Sequence, residues 1–111
     1  MSNEKQQNIE QLQLLEQNLQ NFLMQKQQFQ TQLAELESAE KELEKTEESF
    51  KIIGNIMVSV DKKELQKDIK SKKELIELRL KSLEKQEDKV KQRVDELQKE
   101  VLKDINKKNI A

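Results

Sequence analysis

Phe50-Lys51-Ile52-Ile53-Gly54-Asn55-Ile56-Met57-Val58-Ser59-Val60 is the stretch of this 111-residue chain whose reading decides the fold. It holds the only glycine, and it is the only segment dense in β-branched residues. Gly54-Asn55 sits between two short apolar runs. Gly accepts positive φ freely, so the pair suits a two-residue hairpin turn of type II′ or I′. The segment reads as a β-hairpin over 50–60, with long helical patterns running away from it on both sides.

N-terminal to the hairpin, apolar residues recur at alternating spacings of three and four. One row is Leu15, Phe22, Phe29, Leu36, Leu43 and Phe50; the other is Leu12, Leu19, Lys26, Leu33, Glu40 and Glu47. The first row is apolar throughout and the second half polar, which is a heptad seam. Beyond the hairpin the design repeats. Ile69, Ile76, Leu83, Val90, Leu97 and Asp104 form one row, and Gln66, Lys73, Leu80, Glu87, Val94 and Val101 the other. Asp61-Lys62-Lys63-Glu64 marks a helix start, with Asp61 as N-cap and Glu64 three residues on. Asn106 and Asn109 mark a frayed end. The expected elements are a helix over 4–49, a hairpin over 50–60 and a helix over 62–108, in a single domain spanning 1–111. Each helix of roughly 45 residues is about 65–70 Å long.

Charge decides how the helices pair. Net charge is −1, but residues 1–50 carry four Lys against ten Glu, a balance of −6. Residues 51–111 carry 17 Lys/Arg against 12 Asp/Glu, a balance of +5. Folding the chain about its centre brings Lys26 level with Glu87 and Glu40 level with Lys73. Leu33 then meets Leu80, and Leu19 meets Val94. A parallel dimer would set Lys26 against Lys26 and acid against acid, at a cost. The fold class is therefore mainly α: a long antiparallel two-helix coiled coil with a central β-hairpin. That hairpin would be marginal alone. Its open edges and its Phe50, Ile52, Ile53, Gly54, Ile56, Met57, Val58 and Val60 recruit further strands, so several copies join in a multi-subunit sheet or barrel.

Composition narrows function. Charged residues are 39% of the chain and hydrophobic ones 33%, enough for a narrow seam and too few for a thick core. With no His and no Cys, ordinary zinc sites and the common nucleophile–base pairs are excluded. There is no phosphate-binding loop. No cofactor, no metal and no catalytic residue is expected, and the chain reads as no enzyme. A nucleic-acid role for Lys103, Lys107 and Lys108 is disfavoured, because the acidic first half matches the basic second and no Tyr or Trp is available to stack on bases. No signal peptide and no membrane span is read, so a cytoplasmic protein is the default.

The order helix, short hairpin with an aromatic-Lys-x-x-Gly-x-x-x-Val core (Phe50-Lys51-Ile52-Ile53-Gly54-Asn55-Ile56-Met57-Val58), helix resembles the β-type subunits of prefoldin over nearly the whole chain. One departure is Ser59-Val60-Asp61 standing before the first basic residue, Lys62. The resemblance implies a hetero-hexamer of two α and four β subunits with a β-barrel body and six coiled-coil tentacles. It implies an ATP-independent holdase that binds non-native polypeptides and delivers them to a group II chaperonin. The Lys-rich composition without long tails points to an archaeal source. Clients are expected where the chain ends meet, at Ile9, Leu12, Leu14, Leu15, Leu19, Val101, Leu102 and Ile105, with Val94, Leu97 and Ile110 adding to the apolar character there. Ile9, Leu14 and Leu102 lie off the seam rows. The tips are expected to be the only apolar surface besides the hairpin. The alternative is a coiled-coil tether without chaperone activity.

Overall fold

The computed structural model describes residues 2–110, with side chains described for residues 3–106. The side chains of Lys107, Lys108, Asn109 and Ile110 lie outside those described. The order is α1 (Ser2–Lys45), β1 (Ser49–Ile53), β2 (Ile56–Val60) and α2 (Lys62–Ile110). Within α1 the only β-branched residues are Ile9 and Thr31, and neither helix contains Gly or Pro. Nothing in either sequence interrupts helix propagation.

Residues 27–81 make one compact unit. Its helical seam holds Phe29, Leu33, Leu36, Glu40 and Leu43 of α1 with Ile69, Lys73, Ile76 and Leu80 of α2, all buried or half-buried. The second unit comprises the segments up to Lys26 and from Ser82. There Leu12, Leu15, Leu19, Phe22 and Lys26 are inward, as are Leu83, Glu87, Val90, Val94, Leu97, Val101 and Asp104. Leu97 is fully buried. In each unit every described helical residue of the two rows is at least half-buried. The rows are the a and d positions of a heptad, with e residues on one flank of the pair and g residues on the other.

Among the described residues two ion pairs cross between the helices, one in each unit. Lys26 Nζ meets Glu87 Oε1 at 3.0 Å, and Lys73 Nζ meets Glu40 Oε1 at 2.6 Å. These are the two pairs expected from folding the sequence about its centre. The other helical ion pairs among the described residues are local, three or four residues apart. The charge asymmetry therefore acts mainly through two contacts at seam positions.

α1 stops at Lys45, four residues before the expected 49, and this corrects the last member of each heptad row. Glu47 is outside the helix and Phe50 lies in β1. Thr46 donates its backbone N–H to the Leu43 carbonyl at 3.4 Å. Its Oγ1 reaches the Glu42 carbonyl at 3.5 Å. Continuing the helix would put Glu47 and Glu48 in its last turn, where the dipole is negative. At the other junction the Asp61 backbone carbonyl accepts from Leu65 N–H at 3.0 Å. The bond shown at that cap is thus made by the main chain. α2 then runs through Asn106 and on to Ile110, beyond the expected 108.

The strands pair antiparallel, from Ser49 opposite Val60 to Ile53 opposite Ile56. Gly54 has φ +60°, and no other described residue has positive φ. Positive φ at the first turn position only is type II′. A Cβ on Gly54 would meet nothing, so glycine is required there by backbone conformation and not by space.

Candidate functional site: an exposed hairpin and the meeting of the chain ends

Alternation along the strands gives the hairpin two faces. Phe50 and Ile52, with Met57 and Ser59 opposite, form one. Lys51 and Ile53, with Val58 and Ile56 opposite, form the other, which Ser49 and Val60 complete at the base. The base is fixed to its own unit. Ser49 is buried and its hydroxyl donates to the Val60 carbonyl at 2.7 Å. Lys51 Nζ lies 3.8 Å from Asp68 of α2, and Lys72 meets the same carboxylate at 3.3 Å. Val60 is half-buried over a shallow groove shared with Leu65. The rest projects outward. Phe50, Ile52, Ile53, Ile56, Met57 and Val58 are all exposed, Ile52 by 70%. Both apolar faces and both strand edges are thus without a covering partner among the described residues.

The expected client residues fall into two sets. Leu12, Leu15, Leu19 and Val101 are half-buried seam residues, as is Val94, while Leu97 is fully buried. Ile9, Leu14, Leu102 and Ile105 are exposed, Leu14 and Leu102 by 59% and 58%. Glu4, Gln7 and Asn8 line one groove together with Glu100, Lys103 and Asp104, so the two terminal segments do run side by side. Heptad position separates the flanks. The groove residues are g, c and d positions, whereas Ile9 and Ile105 are e and Leu102 is b. Ile9, Leu102 and Ile105 therefore share one flank. Leu14, a c position, belongs with the polar groove on the other.

One expectation is overturned. Apolar surface is not confined to the hairpin and the chain ends. Leu23 and Met24 of α1 are about half exposed or more, and so are Leu75 and Leu78 of α2. They lie off the a and d rows, and their off-row spacing in the sequence carried that signal.

Two seam charges, Glu87 and Lys73, are shifted from their ordinary values by the pairs they make. The Lys26 ammonium donates to Glu87 and holds its carboxyl below the ordinary carboxylate value against the opposing effect of burial. Lys91 adds to the same shift. The bond that Lys73 donates to Glu40 raises the Lys73 ammonium above its ordinary value, with Glu37 and Glu77 contributing. Each is a paired charge at a position the seam would otherwise give to an apolar side chain. Among the described residues, no cluster of His, Cys, Asp or Glu is arranged to hold a metal ion, and no helix is long and apolar enough to cross a membrane.

Comparison with known proteins follows the same architecture. The family profile described as "Prefoldin subunit" matches residues 6–108. The chain is 36% identical over 96 residues to prefoldin subunit beta of Archaeoglobus fulgidus, covering 84% of this chain and 83% of that one. It is 36% identical over 94 residues to prefoldin subunit beta of Thermococcus onnurineus, covering 82% and 81%. The crystal structure of the prefoldin beta subunit from Thermococcus strain KS-1 superposes with a TM-score of 0.83 at 32% identity, over 88% of this chain and 89% of that one. With one hairpin between two helices, and relatives of this identity along most of its length, the chain belongs to the prefoldin family of chaperone subunits, among its β-type members.

Proposed function

We propose that this chain is a subunit of an ATP-independent cytoplasmic holdase. Its hairpin joins the hairpins of α-type and further β-type subunits in a barrel of two α and four β chains. Its terminal segments bind non-native polypeptides, which the complex delivers to a group II chaperonin. The observation that carries the reading is the pair of apolar regions with different surroundings. The hairpin is a sheet fragment with both faces uncovered, and such a fragment is marginal by itself. The chain ends present Ile9, Leu14, Leu102 and Ile105 outside the seam, so a client can be held without unzipping the coil. Each contact is shallow and weak. Several such ends around one complex multiply through effective concentration.

Changing Leu14, Leu102 and Ile105 together to Ser tests the client site. The expected product is an intact complex that no longer delays aggregation of a denatured client, followed by light scattering with and without ATP. Full protection by that variant would move client binding elsewhere, with Leu23, Met24, Leu75 and Leu78 the next surface to test. A wild-type complex that assembles but protects nothing would indicate a tether.

A further inference from the structure

The terminal unit, made of the segments up to Lys26 and from Ser82, carries exposed apolar residues at two heights of one flank. Ile9, Glu16 and Leu23 are successive e positions of α1. Lys26 meets Glu87, and counting outward from that pair sets Ile105 of α2, another e residue, beside Ile9. Leu102 lies one turn from Ile105, and Met24 adjoins Leu23. All five apolar residues are exposed. Seven residues of helix rise about 10.5 Å, so the two apolar ends of this flank lie about 21 Å apart with Glu16 midway. The outer turns between them present Gln13, Gln17 and Gln20, all exposed. Among the described residues neither Glu10 nor Glu16 has an ion-pair partner, whereas Lys99 is held by Asp95 and Lys91 by Glu87. Lys91 stands level with Leu23, about 10 Å along the arm from Glu16, beyond the Debye length of about 8 Å at physiological salt. The middle of the flank is therefore acidic and its ends are apolar.

We propose that this flank is a track for an extended segment of a non-native chain, with apolar side chains at both ends of the segment and a basic one between them. One apolar side chain rests on Ile9, Ile105 and Leu102, the other on Leu23 and Met24, and the basic group meets Glu16. The inference rests on the reading that the chain ends hold clients, and it assigns the class of segment they hold. An extended chain advances about 3.3 Å per residue, so about six residues cover the 21 Å. Side chains an even number of residues apart point the same way. Both apolar anchors and the intervening basic group can thus face the arm together. The glutamine amides donate and accept, so they meet the unpaired N–H and C=O groups of an unfolded main chain whatever its sequence. Met24, unbranched and polarizable, adapts to apolar side chains of different shape.

The test measures binding of two fluorescent peptides to the assembled complex by anisotropy at low salt. Each has leucines about six residues apart in a serine background. The first has lysines at the two intervening positions that share the leucines' face, and the second has glutamates there. The lysine peptide should bind about fivefold tighter, the scale of one exposed ion pair. Glu16→Lys should reverse that preference. Leu23→Ser with Met24→Ser should weaken the lysine peptide about tenfold, the scale of losing part of one apolar side chain's burial. The same double change should leave unaltered the binding of a control peptide whose leucines are adjacent, because that peptide reaches only the chain ends. Circular dichroism and native mass spectrometry check that each variant stays helical and assembled. Equal affinity for the two peptides, a preference that Glu16→Lys leaves in place, or a Leu23 and Met24 variant that binds the lysine peptide like the wild type overturns the track. A wild-type complex that protects a denatured client but binds no peptide overturns the track alone. One that neither protects nor binds overturns the client reading and this inference with it.

Discussion

The hairpin and the chain ends are both apolar, yet they differ in what their apolar residues do at home. In the hairpin almost none are used internally: Val60 is half-buried, Ser49 and Lys51 tie the base to its own unit, and six large apolar side chains are exposed. At the chain ends the seam takes Leu12, Leu15, Leu19, Val94, Leu97 and Val101, and only the residues off the rows remain. A surface exposed on both faces, with open backbone edges, demands a permanent partner. A few leucines on a self-sufficient coil tolerate being wet and suit transient contact. The contrast teaches that exposure alone does not define a binding site. The decisive property is whether the element is stable without its partner.

The sharpest way to break that contrast is a charge in the hairpin. Ile53→Asp or Val58→Asp should leave both helices intact by circular dichroism and abolish the large complex entirely, because an unpaired carboxylate would be buried in the joined sheets. Native mass spectrometry showing an intact hexamer in either variant would remove the hairpin from assembly.

Next in size is the seam. Lys26→Glu would set a second carboxylate against Glu87, which is only 7% exposed. The expected loss is about 2 kcal/mol by denaturant unfolding, the scale of a mispaired charge that solvent partly relieves. Adding Glu87→Lys should recover part of it. Zero coupling in the double-mutant cycle would mean that this contact does not help set the register. Gly54→Ala should cost less, about 1–2 kcal/mol, since Ala must adopt a left-handed backbone conformation in the turn. On the proposed role of the hairpin in assembly, that cost should appear as a raised subunit concentration for assembly. The helical signal should stay unchanged.

Much of this was legible because its causes are local or periodic. The hairpin announces itself through Gly54-Asn55 between β-branched runs. The rows fix which residues face inward, and two charged seam positions fix the antiparallel register to the pair. What was not legible depended on interactions that cross between elements. Phe50 fits the heptad row by spacing, but Thr46 and the two following glutamates end the helix first, and Ser49 finds a partner only across the hairpin. The Lys51–Asp68–Lys72 ion pairs join a strand to a helix and follow no periodic rule. Exposed apolar residues on the helices were half legible. Ile9, Leu14 and Leu102 stand off the rows, and so do Leu23, Met24, Leu75 and Leu78, which lie away from the chain ends where client contact is expected.

The smallest expected effect concerns pH, and it separates the two seam pairs. Glu87 is held below its ordinary value of 4.5, chiefly by the hydrogen bond from Lys26. Its contribution is therefore fully present above about that value and is lost as pH falls through the lower folded value. Lys73 is raised above its ordinary 10.5, chiefly by its bond to Glu40. Its contribution is present below that value and is lost as pH rises through the higher folded one. Neither pair should change stability between these limits. Thermal unfolding followed by circular dichroism across pH should then show Glu87→Gln weakening the chain at neutral pH but converging on the wild type in acid. Glu40→Gln should likewise converge on it only in strong alkali. Both partners are partly solvated, so each difference should be small and shrink with added salt. A Glu87→Gln variant that stays parallel to the wild type through the whole acid range would show that the Lys26 pair acts through packing and not through charge.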